Sequence, residues 1–269
     1  MEIVDTSIDH EKFHFTRGKK GASFLSHFKV EYENNRIKLL ILGIIIVFNG
    51  FSSVFSEVYL NEILTLAGYS LINPPSPSLM GFLNNFVGDS SLYIIIIIIF
   101  GMGSFSNEVE VNKQVYFTLS RPISRKAYFF TRTLLLTIGI AVIYIIASLI
   151  VYFYSLLFFE PISLDKIMLA IVMASLQNAS FYAIMIMLSV TYNQMTAGIL
   201  GFTTFLGAEI VTLIEPLRWF SPISLSGIWM DILVNKESLS DFLTTTFSLL
   251  LWIIVPIFIG WLVYKRKDL

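Results

Sequence analysis

The stretch IKLLILGIIIVFNGFSSVFSEV, residues 37–58, carries a basic residue only at Lys38 and an acidic one only at Glu57. Between them the apolar side chains run on without alternation, so the pattern suits neither a half-buried strand nor a barrel strand. A helix needs about 20 apolar residues to cross a hydrocarbon core. The stretch therefore reads as a membrane-spanning helix, and the remainder of the chain repeats the pattern. Further apolar blocks lie at 86–105, with a dense centre from Ile94 to Ile99, and at 133–158, 167–190, 195–214 and 242–263. Six spans are expected. The polar breaks at Glu160-Pro161 and Asn193-Gln194 are short enough to imply antiparallel helix hairpins. The connection after the first block holds Pro74, Pro75 and Pro77, and the one before the last holds Pro216, Pro222 and two tryptophans.

Composition agrees with this reading. Hydrophobic residues make up 55% of the 269-residue chain against 14% charged, and mean hydropathy is +0.75. A soluble domain has far more charge with which to cover its surface. The net charge of -1 gives no footprint for nucleic acid. With no cysteine, neither a disulfide nor a thiolate metal site is available. The fold class expected is an all-α integral membrane protein: a cytoplasmic leader with an amphipathic interface helix over residues 1–36, then a six-helix domain over 37–269.

Lysine and arginine set the orientation, because short loops rich in them stay on the cytoplasmic side. Lys12, Arg17, Lys19, Lys20, Lys29, Arg36 and Lys38 precede or open the first block; Lys113, Arg121, Arg125, Lys126 and Arg132 follow the second; Lys265, Arg266 and Lys267 end the chain. In a six-span layout all of these share one side. The other side receives only Lys166, Arg218 and Lys236. Both termini are thus expected in the cytoplasm of a multi-pass plasma-membrane protein. Residues 1–36 are polar and do not resemble a signal peptide, so the first block is expected to stay as an anchor. Within the leader, Phe24, Phe28 and Tyr32 recur at helical spacing beside charged residues, as in a helix lying in the membrane interface.

Two chemical patterns need weighing. His10-Glu11-Lys12-Phe13-His14 matches HExxH, in which two histidines one turn apart hold zinc and the glutamate activates water. A membrane zinc peptidase built on it is one alternative function. It lacks support: the match sits in a polar leader, and the remaining histidine, His27, offers a third ligand only from the interface segment. The pattern is read as accidental and no metal is expected. A phosphate-binding loop GxxxxGK[ST] does not occur, since Gly18-Lys19-Lys20-Gly21 has neither its spacing nor its hydroxyl. If ATP drives this protein, another chain hydrolyses it. Within the spans, Asn49, Gln177, Asn178 and Glu209 are polar groups that hydrocarbon disfavours, so they are candidates for a translocation pathway or for interhelical hydrogen bonds.

The segment after the second block runs from Asn107 through Glu108, Glu110 and Lys113-Gln114 to Leu119-Ser120-Arg121-Pro122-Ile123-Ser124-Arg125-Lys126. Acidic residues open it and a proline stops it, which suits a short helix. Here the chain resembles the permease subunits of type-2 ATP-binding-cassette (ABC) transporters. The likeness lies in Glu108 and Glu110, the Ser-Arg-Pro-Ile-Ser-Arg run of 120–125, and Tyr128 to Arg132 entering the next helix. Residues 218–222 and the basic ending are also similar to the family. Lys113-Gln114 departs from it, standing where the family commonly has Gly-Thr.

The resemblance implies an ATP-driven exporter of a drug, peptide or lipid-like solute. Glu108, Glu110, Arg121, Pro122, Ser124 and Arg125 would contact the ATPase. The chain itself would be no enzyme and hold no cofactor; ATP and Mg would sit on the partner ATPase. The expected partners are cytoplasmic ABC ATPases, a second permease copy or homologue, and membrane lipid. A non-transporting membrane scaffold is the other alternative.

Overall fold

The computed structural model describes residues 24–68, 78–88, 90–106, 124–161, 163–214, 217–223 and 239–266. These residues form helices: α1 (Phe24–Leu66), α2 (Leu79–Gly88), α3 (Ser90–Met102), α4 (Arg125–Ser155), α5 (Leu164–Thr191), α6 (Gln194–Thr212) and α7 (Leu239–Arg266), with one 3-10 turn at Arg218–Phe220. An all-helical membrane bundle follows from the need to satisfy every backbone polar group without water. Among the described residues five helices, α1 and α4 to α7, are long and apolar enough to cross a membrane.

The second expected span is described as α2 and α3, on either side of Asp89, which lies outside the described residues. Glu57 of α1 meets the start of α2: its carboxylate accepts the Ser78 backbone N–H at 3.1 Å.

The helix expected in the leader runs on into the first span. From Phe24 to Leu66 the chain is a single 43-residue helix. It keeps register with α4 all along: Glu31 meets Arg132, Leu39 meets Gly139, Gly43 meets Ile143 and Gly50 meets Val151. From Glu31 onward the leader thus continues the first span alongside α4 rather than turning away from it. Glycines make this parallel seam close. A side chain at Gly43 would begin 3.1 Å from Ile143, and one at Gly50 would overlap Val151.

α5 is the centre of the bundle. It packs on α3, α4, α6 and α7, and 83% of its apolar window is buried, against 22% for α6 and 28% for α7. Met185 of α5 lies against both Gly101 in the last turn of α3 and Gly201 of α6, so two glycines admit one long side chain between three helices. α1 forms an outer layer on α4. The alternating directions bring Glu31, Phe105, Arg132 and Tyr264 to one end of the bundle. Arg125, Lys126, Lys265 and Arg266 belong to that same end, called the basic end below.

Candidate functional site at the basic end

The site begins with the cap of α4. Ser124 has an extended backbone, and its Oγ accepts the Ala127 N–H at 3.2 Å, satisfying one of the donors every helix start leaves open. One turn inside, Tyr128 and Arg132 are four residues apart and share a face. Arg132 Nη1 donates to the Tyr128 hydroxyl at 3.1 Å. On α1 the same spacing sets Glu31 beside Asn35, whose Nδ2 donates to the Glu31 carbonyl at 2.9 Å and lies 3.4 Å from Glu31 Oε2.

The two helices meet through charge. Arg132 Nη1 lies 3.6 Å from Glu31 Oε2, with the two side chains only 8% and 5% exposed. The guanidinium carbon sits 5.4 Å from the centre of the Phe105 ring, a cation–π contact worth about 2 kcal/mol when desolvated. Phe105 in turn packs at 5.4 Å on Phe129 and 5.7 Å on Tyr264. Tyr264 stacks on Tyr128 at 6.4 Å, and Trp261 closes the group against Phe129. Beside it, Ser104 Oγ and the Tyr182 hydroxyl are 2.9 Å apart, which ties the turn after α3 to α5. Charge, rings and hydroxyls from α1, α3, α4, α5 and α7 therefore converge on one cluster.

The cluster holds both flanks of residues 107–123. On the near side stands Phe105, followed by Ser106, which is buried and donates to the Met102 carbonyl at 2.8 Å. On the far side stands Ser124, the cap of the helix that carries Tyr128 and Arg132. Of the residues the sequence assigned to ATPase contact, Glu108, Glu110, Arg121 and Pro122 lie outside the described residues. Ser124 and Arg125 are described, and both are exposed. His10, Glu11 and His14 also lie outside.

The four pathway candidates are not brought together. Asn49 Nδ2 donates to the Tyr93 hydroxyl at 2.7 Å, joining α1 to α3. Gln177 and Asn178 are 1% and 0% exposed within α5. Asn178 Nδ2 donates to the Ala174 carbonyl at 2.9 Å, while its Oδ1 has no hydrogen-bond partner among the described residues. Glu209 is half-buried near the other end of α6, where Ser221 donates to the neighbouring Ala208 carbonyl at 3.0 Å.

Sequence reasoning missed Glu31, Asn35, Phe105 and Tyr264 as members of a site, and it used Tyr128 and Arg132 only for the family resemblance and Arg132 for orientation. The pairs Glu31/Asn35 and Tyr128/Arg132 each carry a local mark, the four-residue spacing. What joins them is the register of two helices a hundred or so residues apart, which no local pattern encodes. Compared with known protein families and with curated proteins, the chain matches none.

Proposed function

We propose that the chain is the membrane-spanning subunit of an ATP-driven exporter of the type-2 ABC kind, pairing with a second permease and two cytoplasmic ATPases. The observation that carries this reading is the attachment of both flanks of residues 107–123 to the buried cluster of Glu31, Phe105, Tyr128, Arg132 and Tyr264. A segment anchored in this way transmits a push. Closure of the ATPases around ATP displaces 107–123; Phe105 and the capped start of α4 move with it; Arg132 passes the displacement to α1 through Glu31.

ATP and Mg belong to the partner, and the basic end faces the cytoplasm of a plasma membrane. α6 lines the solute path. With a hydropathy of 1.4 it is the least apolar of the five long helices and also the least buried in this chain, an expensive combination for a helix facing lipid alone. Glu209 lies on it, with Thr203 exposed on the same helix. Asn49, Gln177 and Asn178 support the path from behind, as interhelical polar contacts. The solute is amphipathic, of the drug, peptide or lipid-like class.

The test is reversal of charge at the segment's C-terminal side. An exposed ion pair is worth only about 0–1 kcal/mol, so one lost arginine is a weak perturbation. Arg121→Glu combined with Arg125→Glu adds repulsion to lost attraction. The double variant is expected to insert normally, to lose co-purifying ATPase, and to show the loss more strongly in low salt, where charges act further. Normal complex formation and normal transport in that variant would remove the coupling assignment.

A further inference from the structure

The outer seam between α1 and α4 is a groove of about 500 Å³. Leu40, Gly43, Val47 and Phe51 of α1 and Ile143 and Ile150 of α4 line it, and every lining residue is apolar. It arises from the glycine register: where α1 lacks a side chain at Gly43, Ile143 closes in and leaves the flanking residues standing as walls. Toward the basic end the groove runs into a second hollow, which shares Leu40 and Ile143 and adds Tyr32 and Arg36.

We propose that this groove binds one anionic glycerophospholipid from the leaflet at the basic end, its acyl chain against α1 and α4 and its phosphate at Arg36. Three observations fit together. From Leu40 to Phe51 the helix rises about 16 Å, the depth of one leaflet of a hydrocarbon core about 30 Å thick. Arg36 is the last residue before the apolar block begins at Ile37, which places it at headgroup level. It is exposed and forms no ion pair among the described residues, and a guanidinium matches phosphate oxygens in a bidentate fork. Lys29, two turns back on the same face, adds positive charge, and Glu33 is the one exposed carboxylate nearby on α1. Tyr32 supplies the amphipathic ring typical of this depth. An apolar floor with one cationic mouth has the polarity profile of a phospholipid. The assignment stands apart from the exporter reading, since a scaffold with this seam would bind the same lipid.

Native mass spectrometry of the full-length protein, released from bilayers containing phosphatidylglycerol and phosphatidylcholine, tests it. Wild type is expected to retain one phosphatidylglycerol per chain with a preference of about fivefold, the size for one basic side chain at an anionic surface. Arg36→Gln is expected to equalise the two lipids, and Arg36→Lys to keep the preference. Ile44 also lines the groove, so Ile44→Trp fills it and is expected to remove bound lipid of both kinds while thermal stability is retained. An unchanged preference in Arg36→Gln overturns the proposal. So does occupancy by a second copy: the chain has no cysteine, so a disulfide between two chains bearing Phe48→Cys reports that arrangement cleanly.

Discussion

Arg132 and Glu31 meet where neither side chain reaches bulk water, and the geometry decides what each contributes. At 3.6 Å the pair is longer than a good charge-assisted hydrogen bond, so it adds little net stability over an apolar pair. Removing one partner is different, because the other stays buried with its opposite charge gone, at a cost of about 3 kcal/mol. Arg132→Ala should therefore lower the melting temperature in detergent markedly, and Arg132→Ala with Glu31→Ala should recover part of the loss. Equal melting of both variants would show that the charges do not interact. Single residues were partly legible in the sequence. Asn49, Gln177 and Asn178 stood out as polar in apolar surroundings, and the structure gives Asn49 a partner on another helix. Glu31 did not stand out, since an acidic residue in a polar leader is ordinary until the fold buries it.

At the scale of elements, the α1–α4 seam is held by absence of side chains. Van der Waals packing is the main attraction between helices in lipid, so a wedge there has a direct effect. Gly50→Leu places a branched side chain where Val151 already sits and should separate the two helices. Reduced stability and faster proteolysis at the basic end are the expected outcome, whereas Ala at exposed Gly207, which has open space around it, should be silent. A Gly50→Leu protein as stable as wild type would mean the seam is looser than described. The five long helices were legible because length and continuous apolarity are local properties. Central placement of α5 was not legible. Its hydropathy of 1.6 is close to the 1.4 of α6, yet one is enclosed and the other exposed, because lipid and protein neighbours select for similar side chains.

Across the whole molecule the basic residues of α4 and α7 collect at the end where Glu31 and Phe105 lie. Sequence counting had grouped the same residues by loop. In the proposed function that end faces the cytoplasm, the side on which lysine and arginine are retained. Reporters fused near Asn73 and near Lys236 should be accessible from outside the cell, and reporters near Lys113 or after Leu269 should not. Cytoplasmic accessibility at Asn73 would contradict a layout in which α2 and α3 together return the chain to the basic end.

The parallel pairing of α1 with α4 also bears on how the protein is made. Glu31 is synthesised about a hundred residues before Arg132, which at about 5–20 residues per second is a wait of roughly 5–20 s. During that interval α1 stands in the bilayer without α4, its glycine face against lipid and its Glu31 carboxylate held by headgroup water. Arrival of α4 closes the seam and withdraws that carboxylate from solvent in the same event. Assembly of the outer layer is in this way tied to the birth of the third long apolar block, and a ribosome that stalls before Arg132 leaves an inserted but unclasped chain for quality control to find.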